Sequence, residues 1–308
     1  MNRSDKYTRF IEGFGRSVRE NELMSAYTTF GTGGQADLFI DASDTDSLSR
    51  AIVLARKLSI PYFVIGQGSN LLVSDSGYRG LIIRNCIRRI EVQGNDIIAG
   101  AGEMLDEIVD FSAECSLTGF EFAAGIWGTI GGAVYGNAGA YGSNVGKILK
   151  SAEILTEDGF VKMVNRENLG FAYRHSRLKE TNDLIIFATF GLVPGNKDEI
   201  KVRIEEIRGD RLRKHPSDAC SAGCFFKNVE DAAQPHGKLP AGKLLDEIGA
   251  KEMTYGGAGV FEKHANIIIN RGNATSKDIR HLADKLKREV KKKFDIDLRE
   301  EVICLGDF

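Results

Sequence analysis

Between residues 125 and 142 the chain reads Gly-Ile-Trp-Gly-Thr-Ile-Gly-Gly-Ala-Val-Tyr-Gly-Asn-Ala-Gly-Ala-Tyr-Gly, with seven glycines in eighteen positions. Each glycine inside a helix costs roughly 1 kcal/mol relative to alanine, so a simple core helix is a poor expectation here. A backbone lying close against a flat ligand accounts for the composition better. A second glycine loop, Gly66-Gln67-Gly68-Ser69-Asn70, sits between the apolar runs 62–65 and 71–73. Small residues there leave backbone N–H groups free to face an anion, and Ser69 and Asn70 add side-chain donors. The alternative for that loop is a tight strand-to-strand turn. Neither loop spells G-x-G-x-x-G, so a Rossmann dinucleotide site is not indicated.

The rest of the composition narrows the function classes. The chain has 308 residues, enough for two or three packed modules. With 41 basic and 43 acidic side chains its net charge is -2, which argues against a nucleic-acid partner. The longest strongly apolar stretch, 184–193, is too short for a bilayer and reads as a buried strand. Residues 1–20 mix charged and apolar side chains without a signal-peptide core, so a cytoplasmic chain with no membrane partner is expected. The five cysteines are odd in number and include no C-x-x-C pair. Neither a disulfide framework nor a metal site is expected.

Along the chain the pattern is α+β throughout. Residues 5–18 read as an amphipathic helix, and a second helix follows with Ser43 as N-cap and Asp46 three residues on. Hairpins are expected at 90–99, turned by Gly94-Asn95, and at 152–164, turned by Asp158-Gly159. A helix over 104–116 precedes the glycine block, and a charged helix from 198 to about 213 reads as a boundary element. Beyond it come a strand at 224–226, a short helix at 242–248 and a strand at 266–270. The last helix carries Ile279, Leu282, Ala283, Leu286 and Val290 on one face, and a strand at 302–305 closes the chain.

Seven motifs, in one order and spanning about residues 27–306, carry a resemblance. Thr29-Phe30-Gly31-Thr32-Gly33-Gly34, the loop 66–73 and the block 125–142 look like an FAD-binding signature. Tyr173-Arg174-His175-Ser176, Ala222-Gly223-Cys224-Phe225-Phe226-Lys227-Asn228, His264-Ala265-Asn266 and Glu301-Val302 look like substrate-side motifs. Together they resemble the UDP-N-acetylenolpyruvoylglucosamine reductases of bacterial peptidoglycan synthesis. The resemblance implies an α+β fold: a vanillyl-alcohol-oxidase/PCMH-type FAD-binding domain with a C-terminal α+β substrate-binding domain. The expected divisions are an N-terminal helical segment at 1–25, an FAD-binding domain at 26–197 with lobes 26–85 and 86–197, and a substrate domain at 198–308. The last strand of that domain, 300–306, would return to the active site.

By the same resemblance, Thr29, Gly66, Gly68, Ser69, Asn70, Gly128, Thr129, Gly131, Gly132, Asn137 and Gly139 would bind FAD. Some relatives with this fold hold FAD covalently through His or Cys. Neither residue occurs in 66–85 or 116–174, so dissociable FAD is expected. NADPH would be co-substrate. The family reduces an enolpyruvyl ether on UDP-N-acetylglucosamine to a lactyl ether, which needs an enolate stabiliser and a placed acid. Arg174 would bind and polarise the enolpyruvyl carboxylate, and Glu301 would assist when protonated or hydrogen-bonded. On their own these two residues also read as a surface arginine and an edge-strand glutamate.

At position 224 the family usually has serine as proton donor, and this chain has Cys224. A thiol keeps the proton and is more acidic than a hydroxyl, near ~8.5 in unperturbed cysteine; the alternative is a small buried cysteine. Tyr173, Arg211, Lys214, Lys227 and Asn228 would meet the UDP-sugar, with the basic residue on the phosphates left open. Only 36 residues separate Arg174 from Arg211, so the chain matches the family's shorter form, without an inserted substrate-covering segment. A monomer is favoured. The rival readings are an oxygen-using oxidase of alcohols or sugars on the same scaffold, and a non-catalytic UDP-sugar binder.

Overall fold

A computed structural model describes residues 3–217, 220–234 and 237–308. Contacts cluster into two units that interleave along the chain. The first comprises residues 1–20, 38–67 and 80–210; the second comprises 21–37, 68–79 and 211–308. The division differs from a linear one because short segments of the N-terminal half pair with the C-terminal third. Leu71–Val73 runs parallel to Ile303–Leu305, with Leu71 opposite Ile303. The boundary near residue 210 falls inside the long helix Lys197–Lys214, not at its start.

The first unit has two apolar cores. One lies under the helix Thr45–Lys57, whose inward face carries Leu48, Ala51, Ile52 and Ala55. That helix starts one residue later than its sequence suggests: Asp44, not Ser43, is the N-cap, closing a capping box with Ser47. Tyr62–Ile65 pairs in parallel with residues 81–84 beside it. The helix Arg3–Phe14 ends where the Gly15 amide bonds back to the Ile11 carbonyl, and residues 19–23 form a strand where a helical segment was expected.

The other core is covered by a five-stranded antiparallel sheet. Its order is Val161–Asn165, Leu149–Leu155, Leu184–Gly191, Asp96–Gly100, Ile90–Gln93. Both expected hairpins are its edges, and the apolar run 184–191 is its middle strand, as a stretch apolar on both faces requires. The helices Leu105–Glu114 and Ile130–Gly136 pack on it through Ile108, Val109, Ile130 and Val134.

The second unit is a four-stranded antiparallel sheet against the helix Ser276–Phe294. The strand order is Cys220–Cys224, His264–Asn270, Ala258–Phe261, Thr254–Tyr255. Ile279, Leu282, Ala283, Leu286 and Val290 are fully buried, the stripe that the 3.6-residue period places on one face. Thr275 caps this helix with Asp278, and the Asp75 carboxylate accepts from the amides of Ser276 and Lys277 at its first turn. No described helix is long and apolar enough to cross a membrane.

Candidate active site

In the second unit, four chain segments meet around Glu301. The strand carrying Cys224 pairs with His264–Asn270, but its register shifts between Ser221 and Cys224. Gly223 has φ 70° at this shift, and a bulge of this kind re-aims the side chain that follows it. Cys224 is the strand's last residue and is half-buried. The expected strand at 224–226 is therefore displaced towards the N-terminus. Beyond Cys224 only the Phe225 amide still bonds the backbone of that partner strand, and the chain pairs instead with residues 299–302. The Glu301 amide donates to the Phe225 carbonyl at 2.8 Å, and the Lys227 amide donates to the Arg299 carbonyl at 2.8 Å.

Asn266 makes that switch possible. Its buried side chain accepts from the Phe226 amide at 2.9 Å and donates to the Phe226 carbonyl at 2.8 Å. Its own carbonyl takes the Phe225 amide at 2.8 Å. A side-chain amide thus replaces a missing strand at Phe226, two residues after Cys224. The motif His264-Ala265-Asn266 contains this residue, but a motif match does not reveal that its side chain stands in for a strand.

Asn70, at the end of the short glycine loop, holds Glu301 from the other side. Its side chain donates to the Glu301 carbonyl at 3.0 Å, and its own carbonyl accepts from the Ile303 amide at 3.0 Å. The neighbouring Glu300 turns towards the helix Ser276–Phe294, where it pairs with Arg280 at 2.8 Å and Lys287 at 2.9 Å. Burial opposes ionisation of Glu300, but the Lys287 hydrogen bond and the Arg280 charge outweigh it and hold its carboxyl below the usual range. Residues 300 and 301 therefore differ: the Glu300 side chain is tied to the helix, while Glu301 pairs through its backbone with Phe225, the residue after Cys224.

The loop itself is tightly seated. Gly68 has φ 66°, and a Cβ there would lie 1.9 Å from the Tyr27 carbonyl oxygen. The Thr29 amide donates to the Gly68 carbonyl at 3.3 Å. Thr29 and Thr32 each bury a hydroxyl that has no partner among the described residues. In the first unit, a Cβ on Gly66 would lie 2.2 Å from the Thr129 hydroxyl. Thr129 caps the helix Ile130–Gly136, its hydroxyl accepting from the Gly132 amide at 3.4 Å. The glycine block therefore contains a short helix after all, with positive φ at Gly125, Gly128 and Gly142 around it. The helix survives its glycines because Ile130, Ala133 and Val134 are buried.

Arg174 belongs to the first unit and sits on a tight turn. The Ala172 and His175 backbones bond reciprocally at 3.1 and 3.2 Å, leaving Tyr173 and Arg174 as the turn's central residues. Arg174 has φ 53°, a left-handed conformation that favours glycine or asparagine. Its guanidinium carbon lies 5.9 Å from the Tyr173 ring centre, and Lys179 donates to its carbonyl at 3.0 Å. The side chain of Asn137, expected at the cofactor, is bonded within the protein. Its amide donates to the Ala172 carbonyl at 2.7 Å and accepts from the Gly146 amide at 2.9 Å, so it faces protein.

Of the residues expected at the UDP-sugar, Arg211 and Lys214 end the helix Lys197–Lys214, and Lys227 and Asn228 follow Cys224's strand. The Asn228 side chain accepts from the Ala241 amide at 3.1 Å. An open cleft of about 580 Å³ in this unit is lined by Lys243, Asp246, Lys263 and His264. The two lysines were not singled out by the sequence, since isolated lysines carry no signal against a surface background. Burial pushes the His264 imidazole's pKa down, against the pull of Asp246, and His215 stacks on it with ring centres 5.8 Å apart.

Comparison with known proteins agrees with this geometry. Residues 36–165 match the FAD binding domain family, and residues 215–305 match the UDP-N-acetylenolpyruvoylglucosamine reductase C-terminal domain family. A UDP-N-acetylenolpyruvoylglucosamine reductase of Clostridium botulinum (strain Alaska E43 / Type E3) is 39% identical over 295 residues, covering 94% of this chain and 93% of its own. One from Caldanaerobacter subterraneus subsp. tengcongensis is 40% identical over 288 residues, 93% of each chain. The crystal structure of the Thermus caldophilus enzyme superposes with a TM-score of 0.79 at 33% identity, over 94% of this chain and all of that one. The fold is the FAD-binding α+β fold with the C-terminal domain expected from the motifs. The chain belongs to the UDP-N-acetylenolpyruvoylglucosamine reductase family.

Proposed function

We propose that the chain reduces UDP-N-acetylglucosamine enolpyruvate to UDP-N-acetylmuramate in peptidoglycan synthesis, with NADPH as reductant and non-covalent FAD as cofactor, in the cytoplasm and as a monomer. One observation carries the assignment of its chemistry. Glu301 is hydrogen-bonded through its backbone to Phe225, next to Cys224, and to Asn70 of the glycine loop. An acid, a carboxyl and a cofactor loop thereby share one hydrogen-bonded ladder within the second unit.

The residues present fit a flavin dinucleotide. Gly66 and Gly68 stand where a Cβ would collide with Thr129 and Tyr27, and the buried Thr29 hydroxyl retains an unused donor. In the second unit Thr29, Gly68, Ser69 and Asn70 would hold the pyrophosphate; in the first, Gly66, Gly128, Thr129, Gly131, Gly132 and Gly139 would line the rest. Bound there, FAD would supply hydride-transfer chemistry, with NADPH as the source and the terminal carbon of the enolpyruvyl group as the destination.

Arg174 binds the enolpyruvyl carboxylate and offsets the negative charge that grows on it as the double bond is reduced. Glu301 completes the hydrogen bonding of that enolate. The Cys224 thiol delivers its proton to the carbon bearing the ether oxygen and regains one from solvent. Tyr173, Arg211, Lys214, Lys227 and Asn228 bind the nucleotide-sugar.

The test is spectroscopic. The purified protein should be yellow, bleach under NADPH without oxygen, and recover its colour when enolpyruvyl-UDP-N-acetylglucosamine is added. Recovery only on admitting air would point to an oxidase, and a protein that stays colourless after FAD is supplied would overturn the flavin reading.

A further inference from the structure

We infer that Asn137 is a positioning residue for the substrate arginine: its side-chain amide holds the turn that carries Arg174. The inference rests on the assignment of Arg174 to the enolpyruvyl carboxylate. Asn137 ends the helix Ile130–Gly136 in a left-handed conformation, φ 46° and ψ 60°, where glycine is the usual choice. Asparagine tolerates that conformation and adds an amide, and here both ends of the amide are used.

Its Nδ2 donates to the Ala172 carbonyl at 2.7 Å, the same carbonyl that accepts from His175 at 3.2 Å to close the turn. Its Oδ1 accepts from the Gly146 amide at 2.9 Å. Gly146 lies so close to Phe171, the residue before Ala172, that a Cβ would sit 2.8 Å from the ring. On the far side of the turn the Ser176 hydroxyl, fully buried, donates to the Tyr135 carbonyl at 2.7 Å. Both ends of the Arg174 turn are thus fastened to one short helix, inside the glycine block.

Arg174 needs such fastening. A large side chain at positive φ is disfavoured and persists only where its surroundings fix it. Asn137 is 5% exposed, so its amide has no water to exchange for the Ala172 carbonyl. Loosening the turn would move the guanidinium, and small misplacements of a binding group are costly in rate.

Asn137→Gly tests this because glycine keeps the left-handed backbone and removes only the amide. Asn137→Asp keeps the acceptor for Gly146 and sets a carboxylate oxygen against the Ala172 carbonyl. Hydrogen exchange at the His175 amide should speed up about tenfold in Asn137→Gly, the loss expected for one buried hydrogen bond. In the flavin-loaded protein, reoxidation by the enolpyruvyl substrate should slow about tenfold or more relative to reduction by NADPH. In an Arg174→Ala background the same change should add nothing further.

Unchanged His175 exchange would overturn the inference, as would loss of flavin or an equal slowing of both half-reactions, which would make Asn137 a cofactor contact. If wild-type reduced protein ignores the enolpyruvyl substrate, the functional reading fails alone, and the exchange experiment still decides the fastening of the turn.

Discussion

The turn that carries Arg174 and the strand end that carries Cys224 are two different ways to fix a functional side chain. The first is local: four residues, a disfavoured backbone and a side-chain amide from a nearby helix end. The second is assembled from segments far apart in sequence, with Cys224, Asn266, Glu301 and Asn70 joined by backbone pairing. A strained turn fixes the base of one long, flexible side chain, and its residues tolerate little change of conformation. A braced strand end fixes the chain just after Cys224 against Glu301 by backbone pairing, and its one positive φ falls on a glycine, Gly223. Binding by charge and delivery of a proton make those different demands, since proton transfer requires hydrogen-bond reach.

The largest effects should come from removing the two side chains, and they should differ in kind. Cys224→Ala should lower turnover by about 10²–10⁴-fold with little change in KM, the usual contribution of a placed acid. Cys224→Ser should retain activity. Arg174→Ala should instead raise KM and lower kcat together, since in the proposed role the guanidinium would meet the carboxylate before and during the reaction. Steady-state kinetics of the three variants separate these patterns. Near-normal turnover in Cys224→Ala would take the thiol out of the mechanism and dissolve the contrast.

Next in size is the brace. Asn266→Ala should destabilise the protein by about 2–4 kcal/mol, because it leaves the Phe226 N–H and C=O buried without partners. Chemical denaturation measures this. A smaller loss is expected from Asn137→Gly, where glycine suits the backbone and the Ala172 carbonyl keeps its bond from His175, so that only the Gly146 N–H loses its partner. Equal losses in the two variants would mean that the turn and the strand end are not held differently.

Glu300 gives a smaller, pH-dependent effect. Its folded-state pKa is lowered, so it stabilises the fold above the ordinary glutamate value of about 4.3 and loses that contribution as the pH falls through the folded value. Glu300→Gln should therefore cost about 1 kcal/mol at pH 7, a figure kept small because Arg280 and Lys287 are partly solvated. The gap to wild type should close as the pH drops below 4. A gap independent of pH would assign the effect to packing.

The two regions were not equally legible in the sequence. The stripe Ile279, Leu282, Ala283, Leu286 and Val290 predicts its buried helix because a 3.6-residue period needs no partner to be recognised. The hairpins at 90–99 and 152–164 are legible for the same local reason, through their turn residues. The strand end is not. Pairing of residues 71–73 with 303–305 and of Phe225 with Glu301 depends on contacts across the whole chain, which no local pattern encodes. That is why the local pattern puts a strand at 224–226 rather than at Cys220–Cys224, and why it is silent on the bracing by Asn266. The Arg174 turn is intermediate: the motif marks the arginine, but Tyr173-Arg174 contains none of the glycine or asparagine that announces a turn of this type.

That last mismatch supplies the smallest and most discriminating prediction. At a left-handed position, replacing a non-glycine residue by glycine removes strain but also loosens the unfolded chain, so the two effects nearly cancel. Arg174→Gly should therefore leave stability within about 1 kcal/mol of wild type, while abolishing productive use of the enolpyruvyl substrate. Thermal unfolding measured beside substrate-driven flavin reoxidation reads both quantities on one sample. A stable but inactive variant would mean the arginine is kept at a conformational cost for its charge. A clear loss of stability would instead make Arg174 part of the turn's own support, and the turn would then differ from the strand end only in length.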